Sequence, residues 1–168
     1  YVGGYFKSKG NYVVGFDISK KAITHARRTL DNAFVVDLEN DPLPRLKPFD
    51  VLILSEIVEH LFQPEQTVQR LIKYLKPKGL LLITTPNIMY WGNRIQFLKG
   101  KFTYEKQGHF DESHVHFFTD ETIRILLTEK LKLRIKEESH IGAGQLGSFL
   151  ASKFPGLFAY QLVFVAQK

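Results

Sequence analysis

Glu56, Glu59 and His60 stand at i, i+3 and i+4 within Phe49 to His60, FDVLILSEIVEH. On a helix that spacing puts two carboxylates and an imidazole on one face. Such a set at the mouth of a strand points to chemistry, acid–base work first. The alternative is a solvated helix N-terminus whose dipole favours acids. A second pair lies upstream. Asp17 follows the apolar run YVVGF, and Asp37 follows AFVV. An acid closing a strand can accept both hydroxyls of a nucleotide ribose. The plain reading of Asp17 is a turn residue capping the next helix. Two acids ending successive strands are more specific than either alone, with Asp37 facing an adenine amino group and Ile18 or Leu38 against the ring.

These residues need a frame. The run Asp50 to Leu54 is apolar without alternation, as in a parallel strand buried on both faces. Ser55 is placed to cap a helix carrying Glu56, Glu59 and His60. Upstream, a helix over the first residues ends at Gly10, Tyr12 to Phe16 reads as a strand, and Ser19 caps a helix to about Leu30. Pro64 opens a further helix that stops before Pro77, and GLLLITTP is an interior strand. The alternation predicts right-handed βαβ units in one α/β, Rossmann-like doubly wound sheet. Residues 87–120 break the rhythm and read as a substrate-side insertion or lid on a single domain spanning 1–168. Beyond it come a helix capped by Thr119, a strand LRIKEESHI, a flexible stretch at Gly142, Gly144 and Gly147, and a last strand LFAYQLVFVAQK.

Composition narrows the classes. The chain has 168 residues, 44% of them hydrophobic, which is globular rather than disordered. No apolar run approaches the length of a transmembrane span. The absence of cysteine removes disulfides and thiolate metal sites and is compatible with a cytoplasmic location. The formal net charge is +6, but its lysines and arginines are scattered outside 99–106 and 130–136, which disfavours nucleic acid as a partner. Oligomeric state is not legible. The chain opens without methionine and with a helix lacking a preceding strand, so a fragment is expected.

GNYVVGFDIS, VVD, FDVLILSEIVEHL and LIKYLKPKGLLLITTPN together resemble class I S-adenosylmethionine-dependent methyltransferases, over the whole chain. The resemblance implies a missing first strand and glycine turn, and a seventh strand running antiparallel. It also implies that Asp17 binds the cofactor ribose, that Asp37 and Leu38 bind adenine, and that Ser55 lies near the sulfonium. Lys78 stands where that family prefers glycine. EIVEH is further similar to the Glu-x-x-Glu-His of ubiquinone-type O-methyltransferases and small-RNA 2′-O-methyltransferases, where a divalent metal is bound. In the latter a later histidine before an aromatic pair and threonine completes the site, and SHVHFFT offers His114, with His116 beside it. Glu56, Glu59, His60 and His114 would suit a hard or borderline ion such as Mg²⁺. The alternative is a metal-free site in which His60 orients substrate.

Among the other histidines, His25 and His140 read as surface residues; His109, in the insertion, could approach substrate, but solvent exposure is the expected reading. Trp91 with Tyr90 and Phe97 could stack on a planar substrate, although aromatics at these spacings are more often core. The expected activity is methyl transfer to an acceptor heteroatom, with oxygen of a small molecule or glycan favoured and His60 and His114 handling it. The step is an in-line displacement in which the protein mainly aligns and excludes water. Two rivals stand: a non-catalytic methyltransferase-like relic or binding module, and a nicotinamide-dependent oxidoreductase sharing Asp17.

Overall fold

A computed structural model describes residues 2–168. Contacts cluster into two compact units, one ending at Arg45 and one running from Leu46 to Lys168. In the first, α1 (Val2–Ser8) closes on Gly10 at φ +83°, where the Gly10 and Asn11 amides reach back to Lys7 and Phe6. Glycine is needed there because the left-handed region penalises a Cβ. β1 (Val14–Asp17) and β2 (Asn32–Val35) pair in parallel, with Asp17 opposite Val35. Between them runs α2 (Lys20–Ala26), where Ser19 Oγ accepts the Ala22 amide as the predicted N-cap. The helix ends at Ala26 rather than Leu30, and turns complete the connection.

The second unit is built on a four-stranded sheet of order β3-β4-β6-β5, made from β3 (Phe49–Ser55), β4 (Leu75–Pro86), β5 (Arg134–Glu138) and β6 (Gln161–Gln167). β3 and β4 are parallel, and β6 runs antiparallel to both neighbours, as expected of the last strand. On β6, Leu162, Phe164 and Ala166 alternate inward and are fully buried. α3 (Pro64–Leu71) begins at a proline and buries Thr67, Val68 and Leu71 along one stripe. α5 (Asp120–Ile125) is capped by Thr119, whose hydroxyl and that of Thr122 satisfy each other's backbone amides.

Several expectations are corrected. β3 is an outer strand of its sheet and Val51 is 45% exposed, so that run is not covered on both faces. Residues 87–120 contain a helix, α4 (Trp91–Leu98), and Trp91 and Phe97 are partly exposed rather than core. The glycine-rich stretch is helical: α6 (Gly144–Lys153) is followed by α7 (Pro155–Phe158). Gly142 serves close approach, since a Cβ there would lie 2.1 Å from the Gly147 carbonyl oxygen. His140 is buried, taking the Val163 amide on Nδ1 and facing Asp120 and Glu138, which Arg124 bridges. Burial lowers its pKa, because a charged ring there loses water.

Candidate active site

No α-helix opens at Ser55. Glu56 adopts φ +52°, and its Oε1 accepts from Thr84 Oγ1 at 2.7 Å and from Gln161 Nε2 at 2.9 Å. The turn thus ties the end of β3 to the ends of β4 and β6. Val58–His60 form a single tight turn of 3₁₀ helix. A left-handed residue cannot continue an α-helix, and Thr84 and Gln161, distant in sequence, satisfy the carboxylate outside one. Glu56 therefore does not share a helical face with Glu59 and His60.

Glu59 points inward and is 1% exposed. Thr85 Oγ1 donates to its Oε2 at 3.2 Å, while Oε1 has no hydrogen-bond partner among the described residues. Burial pushes this carboxyl up to about 7, and the nearby Glu56 charge adds to the effect, against smaller opposing hydrogen bonds. An orphaned oxygen on a buried carboxylate is costly without a ligand.

Two imidazoles meet that oxygen's surroundings. His60 Nδ1 lies 3.2 Å from the Ser113 carbonyl oxygen, which can only accept, so Nδ1 carries the proton. His114 Nδ1 stands 3.3 Å from the His109 carbonyl and is a donor on the same ground. Each ring thus turns its Nδ1 edge to the backbone of 109–113. One ligand atom from each of Glu59, His60 and His114 falls within a group no wider than 4.8 Å. The segment carrying His114 is pinned to Glu59 directly, since the Val115 and His116 amides both donate to the Glu59 carbonyl. His116 turns elsewhere, its Nε2 at 3.2 Å from the Phe62 carbonyl.

Asp111, Ser113, Tyr160 and Gln161 were not foreseen as contributors. Asp111 Oδ1 accepts from Ser113 N at 2.8 Å and from Ser113 Oγ at 2.5 Å, and the Ser113 hydroxyl oxygen lies 3.2 Å from His60 Nδ1. These bonds hold the Asp111 carboxyl below its ordinary range. The signal was present as an Asp-x-Ser run just before His114, the pattern of an Asx turn. Gln161 and Tyr160 join from the start of β6, and with Glu56, Glu59, His60 and His109 they line a cleft of about 310 Å³. His109 is buried, contrary to expectation: Nε2 donates to the Tyr160 carbonyl at 2.8 Å and Nδ1 meets the Asn93 amide. Burial lowers its pKa, because a charged ring there loses water.

The expected cofactor residues fall on strand ends. In the first unit, Asp17 ends β1, with Oδ1 accepting the Ser19 amide, and Asp37 lies just past β2, accepting from Glu39 and Asn40. Ile18 is 70% exposed beside Asp17, and Leu38 is half-buried. In the second unit, Ser55 ends β3, its Oγ 3.2 Å from Thr84 Oγ1.

Acids at the carboxyl ends of parallel strands are the setting in which open α/β sheets bind nucleotide cofactors. Residues 5–131 match the family model described as a methyltransferase domain. The chain belongs to that family, and thus to the class I S-adenosylmethionine-dependent methyltransferases. It is 30% identical over 93 residues to a probable S-adenosylmethionine-dependent methyltransferase of Mycolicibacterium smegmatis, covering 54% of this chain and 34% of that protein. It is 36% identical over 55 residues to the ubiquinone biosynthesis O-methyltransferase of Rickettsia prowazekii, covering 33% of this chain and 20% of that one. The chain therefore spans no more than about a third of these relatives' length. A methyltransferase structure from Archaeoglobus fulgidus superposes with a TM-score of 0.68 at 20% identity, covering 98% of this chain and 79% of that one.

Proposed function

We propose that this chain transfers a methyl group from S-adenosylmethionine to an oxygen of a small-molecule or glycan acceptor. The observation that carries this reading is the cluster of Glu59, His60 and His114, with an unpartnered buried Oε1 on Glu59 and one ligand atom of each residue within 4.8 Å of the others. A hydroxyl is a poor nucleophile until its proton is taken or its pKa lowered, and this cluster is suited to both. The name of the Rickettsia relative, an O-methyltransferase, points the same way.

Bound S-adenosylmethionine supplies an activated methyl group on its sulfonium. The residues fit it: Asp17 Oδ1 is committed to Ser19, which leaves Oδ2 for a ribose hydroxyl, and the exposed Ile18 offers an apolar face. Asp37 and Leu38 occupy the matching place after β2 and serve the adenine. Ser55 serves the methionine end.

The donor set also fits a divalent cation, held by Glu59, His60 and His114. Metal-binding histidines characteristically donate the other ring N–H to a carbonyl, as both do here. Such a cation supplies Lewis acidity that makes an acceptor hydroxyl easier to deprotonate. Glu56 is held aside by Thr84 and Gln161 and serves as a second acidic wall of the cleft. His60 Nε2 takes the acceptor proton or, with the cation present, ligates it. The 87–120 segment contributes His109, Asp111 and His114 to the cleft and acts as its lid.

The test has two arms. Calorimetry with S-adenosylmethionine, on the chain and on Asp17→Ala, reads cofactor binding. Titration with Mn²⁺, followed by water proton relaxation, reads the cation on the chain and on Glu59→Ala. Cofactor binding that disappears in Asp17→Ala supports the assignment. Failure of the intact chain to bind S-adenosylmethionine overturns it, and Mn²⁺ binding unchanged in Glu59→Ala overturns the metal reading alone.

A further inference from the structure

Two helical segments of the second unit present apolar side chains to solvent. On α4, Trp91, Ile95 and Leu98 recur at i, i+4 and i+7, so they share one face, and Leu98 is 87% exposed. Phe102 continues this surface, stacked against Phe97 with ring centroids 6.1 Å apart. On α6, Leu146 and Phe149 stand at i and i+3, and are 72% and 61% exposed. α4 and the residues before it are tied to α7, which follows α6, and to the residues just after α7. Arg94 Nη2 donates to the Gly156 carbonyl at 2.9 Å, Asn87 Nδ2 to the Ala159 carbonyl at 2.9 Å, and the Tyr90 and Tyr160 rings meet edge to face.

Charge on these segments is one-sided. Residues 87–104 and 139–168 contain no aspartate or glutamate, while Arg94, Lys99, Lys101 and Lys153 belong to the two helices and their ends. Exposed leucine and aromatic side chains bordered by lysines, with no acids among them, form the pattern of a segment lying in a lipid headgroup layer. Nucleic acid fits less well, since Ile95, Leu98 and Leu146 are aliphatic and give bases nothing to stack on. A second copy fits less well too, because it would set these lysines against their own equivalents. No described helix is long and apolar enough to cross a membrane, so the mode is surface contact rather than spanning.

We infer that the exposed apolar faces of α4 with the 99–102 turn, and of α6, dock on an anionic lipid surface. Trp91, Leu98, Phe102 and Phe149 enter the headgroup boundary, and Lys99, Lys101 and Lys153 engage the lipid phosphates. The α4 face is continuous with elements that line the cleft, through Tyr90 and Tyr160, so an acceptor resident at that surface would have a short path to it.

Vesicle co-sedimentation tests this without any methyl-transfer assay. The probes are phosphatidylcholine vesicles with and without phosphatidylglycerol, and the proteins are the intact chain and the double variant Leu98→Ser/Phe149→Ser. Both positions are exposed, so the variant keeps the fold, and circular dichroism checks this. The expected result is binding to the anionic vesicles only, weakened by added salt, and on the order of tenfold weaker in the variant. No sedimentation with anionic vesicles, or equal sedimentation of chain and variant, overturns the inference. So does binding to heparin, which has no acyl layer, that matches the vesicle binding and survives the double substitution. A dimer in analytical ultracentrifugation that the variant abolishes, without vesicle binding, assigns the faces to a second copy instead.

Discussion

The imidazole rings of His60 and His114 lie 4.8 Å apart, centroid to centroid, and are inclined at 65°. Each donates its Nδ1 proton to a carbonyl within 109–113, His60 to Ser113 and His114 to His109. One short stretch of chain therefore holds the Nδ1 side of both rings and sets their orientation. Two imidazoles beside a buried carboxylate make a site suited to positive charge, whether a proton from an acceptor or a cation.

Glu59 gives the first prediction. Its carboxyl is raised to about 7 from an ordinary 4.5, so the folded protein binds a proton that the unfolded chain has released. Stability is then fully present below the lower value and falls as pH rises between them, by about 3 kcal/mol in all. Glu59→Gln should flatten this decline and stabilise the apo protein at pH 8 by on the order of 1–2 kcal/mol, part of the gain being lost to the buried amide. Urea denaturation at pH 5 and pH 8 measures it. A variant no more stable than the parent at pH 8 would show that Glu59 is not held against its solvation.

The buried histidines work on the acid side. His109 and His140 both have pKa values lowered by burial, so below their ordinary value of 6.5 the unfolded chain takes up protons that the folded state refuses. Their contribution is present above that value and is lost as pH falls through it. In the Glu59→Gln background, stability should therefore fall steadily from pH 7 to pH 5. NMR of the His109 ring is the direct check, and a ring titrating at or above 6.5 would contradict it.

Asp111 is a positioning residue, which leads to a comparison of two substitutions. Its Oδ1 accepts both the amide and the hydroxyl of Ser113, and its carbonyl accepts the His114 amide. Asparagine retains an oxygen for the same turn, whereas alanine does not. Asp111→Asn should keep His60 in its Nδ1–H form, while Asp111→Ala releases the loop and mixes the tautomers. Imidazole ¹⁵N shifts read this directly. Equal spectra for the two variants would mean that the turn does not hold the ring.

Much of this was legible in the residues themselves. Apolar runs bounded by Asp17, Asp37 and Pro86 marked the strands, and Ser19 and Thr119 marked helix starts because their hydroxyls have one evident use. The meeting of His114 with Glu59 and His60 was reached by resemblance, not by periodicity. The shape of 55–60 was missed because Glu56 takes a left-handed backbone whose compensation, from Thr84 and Gln161, lies far along the chain. Propensity cannot see a distant partner. The glycines at 142–147 were misread for a similar reason: they permit close approach between Gly142 and Gly147 instead of disorder.

The turn within β4 supplies a last prediction, with opposite signs at adjacent residues. Lys78 sits at φ +64°, where its Cβ crowds the following carbonyl. Its own carbonyl accepts from Gln167 Nε2 at 3.0 Å, a bond that any residue at 78 keeps. Lys78→Gly removes the crowding and adds freedom to the unfolded chain, for a net gain of about 0.5 kcal/mol. Gly79 is the reverse case. A Cβ there would lie 2.9 Å from the Lys76 carbonyl oxygen and 3.2 Å from Leu75 Cβ, and a backbone oxygen cannot swing aside. Gly79→Ala should therefore cost about 1–3 kcal/mol. Urea midpoints of the two variants should move in opposite directions from the parent. A neutral Gly79→Ala would show that the turn can relax, and would remove the reason for keeping glycine beside a strained lysine.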